Sequence, residues 1–217
     1  MTSPLVAVVD YGAGNLRSIR RALEHAGASV VVTADPGVIG AADAVVLPGV
    51  GAAGAAMDRL RGLGIVPAIE QAVQDGRPFL GICLGMQLLF GPQEEGDTVG
   101  LGLLSGSVRA MSGAVKVPQI GWNRVRLAED GPLGHAGEER DYYFVHSYVV
   151  EPADPGIVAA ETRYGETFPS IVVDRNVWGM QFHPEKSGND GLALVQAFVN
   201  HVARGMAATA QPESVSA

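Results

Sequence analysis

Short apolar runs alternate with helix-period stretches through the first part of the chain. Residues 5–9, 28–32, 44–47 and 79–82 are almost wholly Val, Ala, Leu, Ile and Phe. Continuous apolar strands, as opposed to alternating ones, are expected where helices cover both faces of a parallel sheet. Between the first two runs Leu16, Ile19, Leu23 and Ala26 recur at helical spacing, and Gly27 closes the pattern. A second helix is predicted over residues 65–75, ended by Gly76. Strand, helix, strand, helix predicts an α/β fold built on an open, mainly parallel sheet flanked by helices.

The pattern changes after residue 115 or so. Residues 116–127, 141–150, 158–162 and 168–182 are rich in Val, Tyr and Trp, and predict an antiparallel extension joined by hairpins. Arg175-Asn176 is the expected turn within the last of these. Residues 130–140 are polar and predict a surface loop. A final helix carrying Leu192, Val195, Phe198, Val199 and Val202 is expected to start at Ser187, whose hydroxyl suits an N-cap. One domain is expected over residues 1–205, with a disordered tail over residues 206–217.

Composition narrows the function classes. The chain of 217 residues is 47% hydrophobic and 18% charged, a globular profile. Its net charge is −8 and no Lys/Arg run appears, which argues against nucleic acid as a partner. The acidity by itself requires no more than solubility. The single cysteine cannot form an internal disulfide, in keeping with a reducing compartment. No signal-peptide layout and no apolar stretch of about 20 residues is present, so a cytoplasmic protein without a membrane partner is expected.

Candidate chemistry sits at three places. Gly81-Ile82-Cys83-Leu84-Gly85 follows an apolar strand and opens a helical pattern over residues 84–90. A nucleophile between small residues at a strand-to-helix turn is an elbow, and a helix N-terminus favours thiolate. A buried structural cysteine is the competing reading. Gln181-Phe182-His183-Pro184-Glu185 offers a base with its orienting carboxylate. In an extended segment His183 and Glu185 point to one side, with Pro184 holding the backbone extended. A plain strand exit would look the same. Pro48-Gly49-Val50-Gly51 ends a strand, where its amides and that of Leu84 suit an oxyanion, although a simple turn fits as well.

Other histidines are weaker candidates. His25 and His201 lie in helical patterns and are expected to be exposed, His135 falls in the polar loop, and His146 lies in a strand. No HExxH, cysteine pair or histidine cluster supports a metal. The loop Asp10-Tyr11-Gly12-Ala13-Gly14-Asn15 is not a dinucleotide fingerprint, because Arg17 stands where the third glycine belongs. No metal and no cofactor is expected.

Taken together, residues 81–90 and 181–187 resemble the class I glutamine amidotransferases. Residues 10–18, Leu47-Pro48-Gly49-Val50-Gly51, Gly121-Trp122-Asn123 and Tyr143-Phe144-Val145-His146-Ser147-Tyr148 are similar to the glutaminase subunits of imidazole glycerol phosphate synthase. The resemblance spans about residues 5–203. It implies hydrolysis of glutamine to glutamate and ammonia, with transfer to a cyclase subunit of (β/α)₈-barrel fold in a heterodimer. That partner makes imidazole glycerol phosphate and an aminoimidazole carboxamide ribotide in histidine biosynthesis.

It further implies Cys83 as nucleophile, His183 as acid and base, and Glu185 as its orienter. Gly49, Val50 and Gly51 match the oxyanion strand. Gln87, Ser147 and Tyr148 match positions holding the substrate's amino-acid end, and Asn15 and Trp122 fall in segments facing the partner. Gln119 stands where these subunits usually carry His, and Ala53 where an aromatic is usual. An anthranilate-type glutaminase, a stand-alone Cys-His hydrolase of γ-glutamyl peptides and a silent binding module are the alternatives.

Overall fold

A computed structural model describes residues 3–209. The first half carries four strands, β1 (Leu5–Val9), β2 (Ser29–Thr33), β3 (Ala44–Gly49) and β4 (Phe79–Cys83). Four helices connect them: α1 (Leu16–His25), α2 (Pro36–Ala41), α3 (Ala53–Gly62) and α4 (Val66–Gln74). The two anticipated helices end as their glycines require. Gly27 and Gly76 take positive φ, and the residues after them, Ala28 and Arg77, return their N–H groups to Leu23 and Ala72. Two helices were not anticipated. α2 is set by Asp35, whose carboxylate accepts from the Gly37 and Val38 amides, with Pro36 at the first turn. α3 is rich in Ala and Gly and shows only a weak apolar face, with Ala53, Ala56, Met57 and Leu60 buried.

After β4 the chain makes one helical turn, α5 (Leu84–Gln87), shorter than the helix expected to residue 90. Short strands β5 (Pro92–Gln93) and β6 (Thr98–Val99) and strand β7 (Gly106–Ala110) follow. The antiparallel set is β8 (Gln119–Leu127), β9 (Glu139–His146), β10 (Tyr148–Pro152), β11 (Val158–Tyr164), β12 (Glu166–Asp174) and β13 (Val177–Met180). The β12–β13 turn is Arg175-Asn176, with Arg175 at φ 51°. The final helix, α6, spans Gly188–Thr209. It carries residues 206–209, which were expected to belong to the tail, because Ala207 and its neighbours suit a helix. Residues 210–217 lie outside the described residues.

Among the described residues the main sheet has nine strands, ordered β2-β1-β3-β4-β13-β12-β11-β8-β9. It is mixed. Neighbours run parallel from β2 to β13 and antiparallel from β13 to β9. β1, β3, β4 and β13 are buried on both faces, which explains their continuous apolar sequence, whereas β2, whose run reads as buried, is the sheet's edge and only partly covered. Val6 and Val8 turn toward α1 and α6, while Ala7 and Val9 turn toward α3 and α4.

The segment 141–150, expected as one strand, is two. The chain leaves the main sheet at Ser147, and β10 joins a second sheet ordered β10-β7-β5-β6. The two sheets are tied at Arg109 of β7. Its Nη1 and Nη2 donate to both oxygens of Glu166 in β12, at 3.0 and 2.6 Å. The Arg109 fork, with the Ser112 amide, holds the Glu166 carboxyl down at about 2. No helix among the described residues is long and apolar enough to cross a membrane.

Candidate active site

Three neighbouring strands deliver the site from their carboxyl ends, the edge where open parallel sheets place ligands. β4 ends at Cys83. β3, paired to it with Gly49 opposite Cys83, runs into Val50 and Gly51. β13, on the other side of β4, leads through Gln181 and Phe182 to His183.

The turn at Cys83 is strained. Its φ and ψ are 54° and −111°, a conformation that non-glycine residues rarely adopt. The flanking glycines are required by contact. A Cβ on Gly81 would sit 2.6 Å from the Gly85 carbonyl oxygen, and a Cβ on Gly85 would collide with the Leu47 carbonyl. The elbow therefore lies pressed onto β3, with the Leu84 amide at the start of α5. Cys83 is 5% exposed at the floor of a cavity of about 250 Å³.

His183 Nδ1 lies 3.0 Å from Glu185 Oε1, and both side chains are buried. Their backbone differs from the expected extended run: Pro184–Lys186 is a 3₁₀ turn. Proline suits the first position of such a turn as well as it suits a strand, and the turn brings the carboxylate back beneath the ring. The Asn15 amide donates to the same Glu185 oxygen at 3.5 Å. Ser187 precedes α6, but its hydroxyl does not cap the helix. It donates to His183 O at 2.6 Å and accepts from the Tyr143 amide at 3.0 Å. The Tyr143 carbonyl accepts from the His183 amide, so β9 fixes the base by main-chain and side-chain bonds.

With Nδ1 committed to Glu185, Nε2 is left to interact with the Cys83 sulfur. Burial pushes the imidazole down, but Cys83 and Glu185 together outweigh it and raise His183 to about 9. The proton is thereby held on the ring near neutral pH.

Val50, Gly51, Leu84, Gln87, Ser147 and Tyr148 line the cavity. Gly49 is buried beneath it, where a Cβ would meet the Gly85 amide and Leu84 at 2.8 Å. Trp122 is outside the cavity, 59% exposed on β8 and edge-on to Tyr143 at 6.2 Å.

The family model described as glutamine amidotransferase class-I matches residues 7–202. The chain belongs to this family. It is 48% identical over 206 residues to the imidazole glycerol phosphate synthase subunit HisH of Halobacterium salinarum, covering 91% of this chain and 94% of that protein. The HisH subunit of Synechococcus elongatus is also 48% identical, over 208 residues, covering 93% and 95%. Among solved structures, that of PurLQS from Thermotoga maritima superposes with a TM-score of 0.72 at 23% identity, covering 93% of this chain and 100% of that one. A putative GMP synthase subunit from Thermoplasma acidophilum gives 0.72 at 19%, covering 97% and 100%. At such identity these two bear on the fold, an α/β sheet flanked by helices. The HisH relatives place this amidotransferase, an enzyme, among the glutaminase subunits of imidazole glycerol phosphate synthase.

The sequence motifs assign no role to two polar residues of this amidotransferase site, Glu95 and His146. Glu95 lines the cavity and accepts from the Ala53 amide at 2.8 Å. It lies just beyond the motif over residues 81–90, and no local signal marks it. His146 is buried at the cavity wall, where burial pushes it down to about 4 and leaves it neutral. Its Nδ1 lies 2.9 Å from the Tyr148 carbonyl, which can only accept, so Nδ1 carries the hydrogen. Nε2 is then an acceptor. Gln119 Oε1 lies 3.1 Å from it, and since two acceptors cannot bond, the carboxamide must turn to offer its NH₂, which otherwise has no partner. The two-residue period of Tyr142, Phe144 and His146, all buried, is the signal that would have found His146. His201 is half-buried against Trp178, with ring centroids 5.2 Å apart, because α6 turns that face to the sheet; it was expected to be exposed.

Proposed function

We propose that this chain hydrolyses glutamine to glutamate and ammonia. The ammonia passes to the (β/α)₈-barrel cyclase subunit of imidazole glycerol phosphate synthase, in a cytoplasmic heterodimer of the histidine pathway. The carrying observation is the convergence of Cys83, at a strained elbow, with the buried His183–Glu185 pair over one cavity.

The cavity suits a single amino acid. Glu95 and Gln87 are acceptors available to an ammonium group, and Lys186 at the wall suits a carboxylate. Cys83 Sγ attacks the side-chain amide carbon and its proton resides on His183. The carbonyl electrons move to oxygen, which the amides of Leu84 and the Gly49-Val50-Gly51 strand stabilise. His183 returns the proton to nitrogen, the C–N bond breaks and ammonia leaves a glutamyl thioester. Water then attacks, its proton passes to the ring, the C–S bond breaks and the thiol is regenerated. The raised position of His183 favours the ring as proton holder during the first step. Glu185 keeps Nδ1 as donor so that Nε2 serves the sulfur and the leaving nitrogen.

Co-expression with the cyclase tests the reading. Cys83→Ser is expected to lower glutamine-dependent turnover by at least about 10³-fold while added ammonia still supports the cyclase. Glutaminase rate is expected to rise on assembly, because an unassembled glutaminase would waste substrate. Retention of glutamine-dependent turnover by Cys83→Ser would falsify the assignment.

A further inference from the structure

Besides the imidazole, two groups among the described residues lie within hydrogen-bonding reach of the Cys83 sulfur. Val145 O lies 3.6 Å away, where a thiol S–H donates to it. Gln181 Nε2 lies 3.9 Å away, with its N–H directed at Sγ. The two neighbours prefer opposite states of the sulfur. A carbonyl oxygen suits a thiol and repels a thiolate, whereas an amide N–H is a weak partner for a thiol and a strong one for a thiolate.

Gln181 cannot turn its carboxamide around. It is fully buried, and its orientation follows from the far end of a hydrogen-bonded chain. The Tyr148 carbonyl only accepts, so Gln87 must present Nε2 to it, at 3.0 Å. The second hydrogen of that nitrogen goes to Gln181 Oε1 at 3.1 Å. With its oxygen so engaged, Gln181 has only its NH₂ to give the sulfur. His146 Nδ1 donates to the same Tyr148 carbonyl and anchors the chain.

We propose that Gln181 is a positioning residue for the nucleophile: its buried N–H, aimed by Gln87 at Cys83 Sγ, stabilises the sulfur whenever it carries negative charge. This rests on the reading of Cys83 as nucleophile. The charge appears twice in the cycle, before attack on the amide and when water displaces the sulfur from the thioester. Gln181 opposes the Val145 carbonyl in both.

The test follows alkylation of Cys83 by iodoacetamide across pH in the full-length chain, read by mass. In Gln181→Leu the rate at neutral pH is expected to fall about tenfold, the size of one hydrogen bond to a charged group, and the rise of rate with pH to move upward. Gln181→Glu keeps the volume and the acceptor for Gln87 but removes the N–H, and is expected to move the profile further. Profiles that superimpose on the native one overturn the proposal, even if turnover falls, since a purely structural glutamine would not shift them. In the native chain, the side-chain amide resonance of Gln181 is expected to move over the same pH range and to stay flat in Cys83→Ser. A resonance indifferent to that range overturns the proposal even if neither variant folds. Failure of Cys83 to take a glutamine-analogue electrophile in the assembled synthase would instead remove the nucleophile reading, and with it this proposal.

Discussion

His146 is buried and neutral, and its environment makes the fold sensitive to acid. Its folded value of about 4 lies below the ordinary 6.5, so the unfolded chain takes up a proton first as pH falls. Its contribution is present above 6.5 and is lost progressively as pH drops toward 4, by about 3 kcal/mol in all. His183 runs the other way. Its value is raised to about 9, so its contribution is full below 6.5 and is lost as pH rises through 9. Between pH 4.5 and 6.5 the two are separable. Urea unfolding of native chain and His146→Gln at pH 7 and 4.5 is expected to show the native chain losing about 2 kcal/mol more than the variant. Equal losses would mean that the ring is not held neutral.

Elements matter most at the elbow between β4 and α5. The glycine at 85 is a packing requirement of β3, because its α-carbon faces the Leu47 carbonyl with no room for a methyl group. Gly85→Ala therefore pushes backbone against backbone, which side-chain rotation cannot relieve. It is expected to destabilise the chain by about 3 kcal/mol, the upper range for overpacking, and to abolish Cys83 labelling by a glutamine-analogue electrophile. Chemical denaturation together with mass-detected labelling checks both. A stable, fully labelled variant would show that the elbow can move off β3.

For the whole molecule, the outer surface of β8 is the part left unfinished. Ile120 and Trp122, 62% and 59% exposed, lie two apart on one face of a strand beside the cavity mouth. Trp122 packs edge-on to Tyr143, and Lys186 Nζ lies 6.0 Å from the centre of that ring. An exposed Trp on a rigid strand has the profile of an interface anchor. Trp122→Ala is expected to weaken association with the cyclase at least about tenfold while leaving the melting temperature within a few degrees. Calorimetric titration of the two subunits measures it, and unchanged affinity would move the docking face elsewhere.

Much of this was readable without coordinates because it is local. The closing glycines of α1 and α4 and the glycine-flanked cysteine after an apolar strand each state a short-range geometry, whereas His183-Pro184-Glu185 pairs its side chains through a 3₁₀ turn and not through the extended run its spacing suggests. The continuous apolar runs told of a sheet covered on both faces, since burial acts on every position alike. Tertiary structure alone decided what depends on partners distant in sequence. The chain changes sheets at Ser147 because β10 finds β7, a pairing no local pattern encodes. Gln119 meets His146, and Gln181 meets Cys83, across 27 and 98 residues. Such contacts join side chains whose own segments are satisfied either way, so the chain order carries no trace of them until the strands are laid side by side.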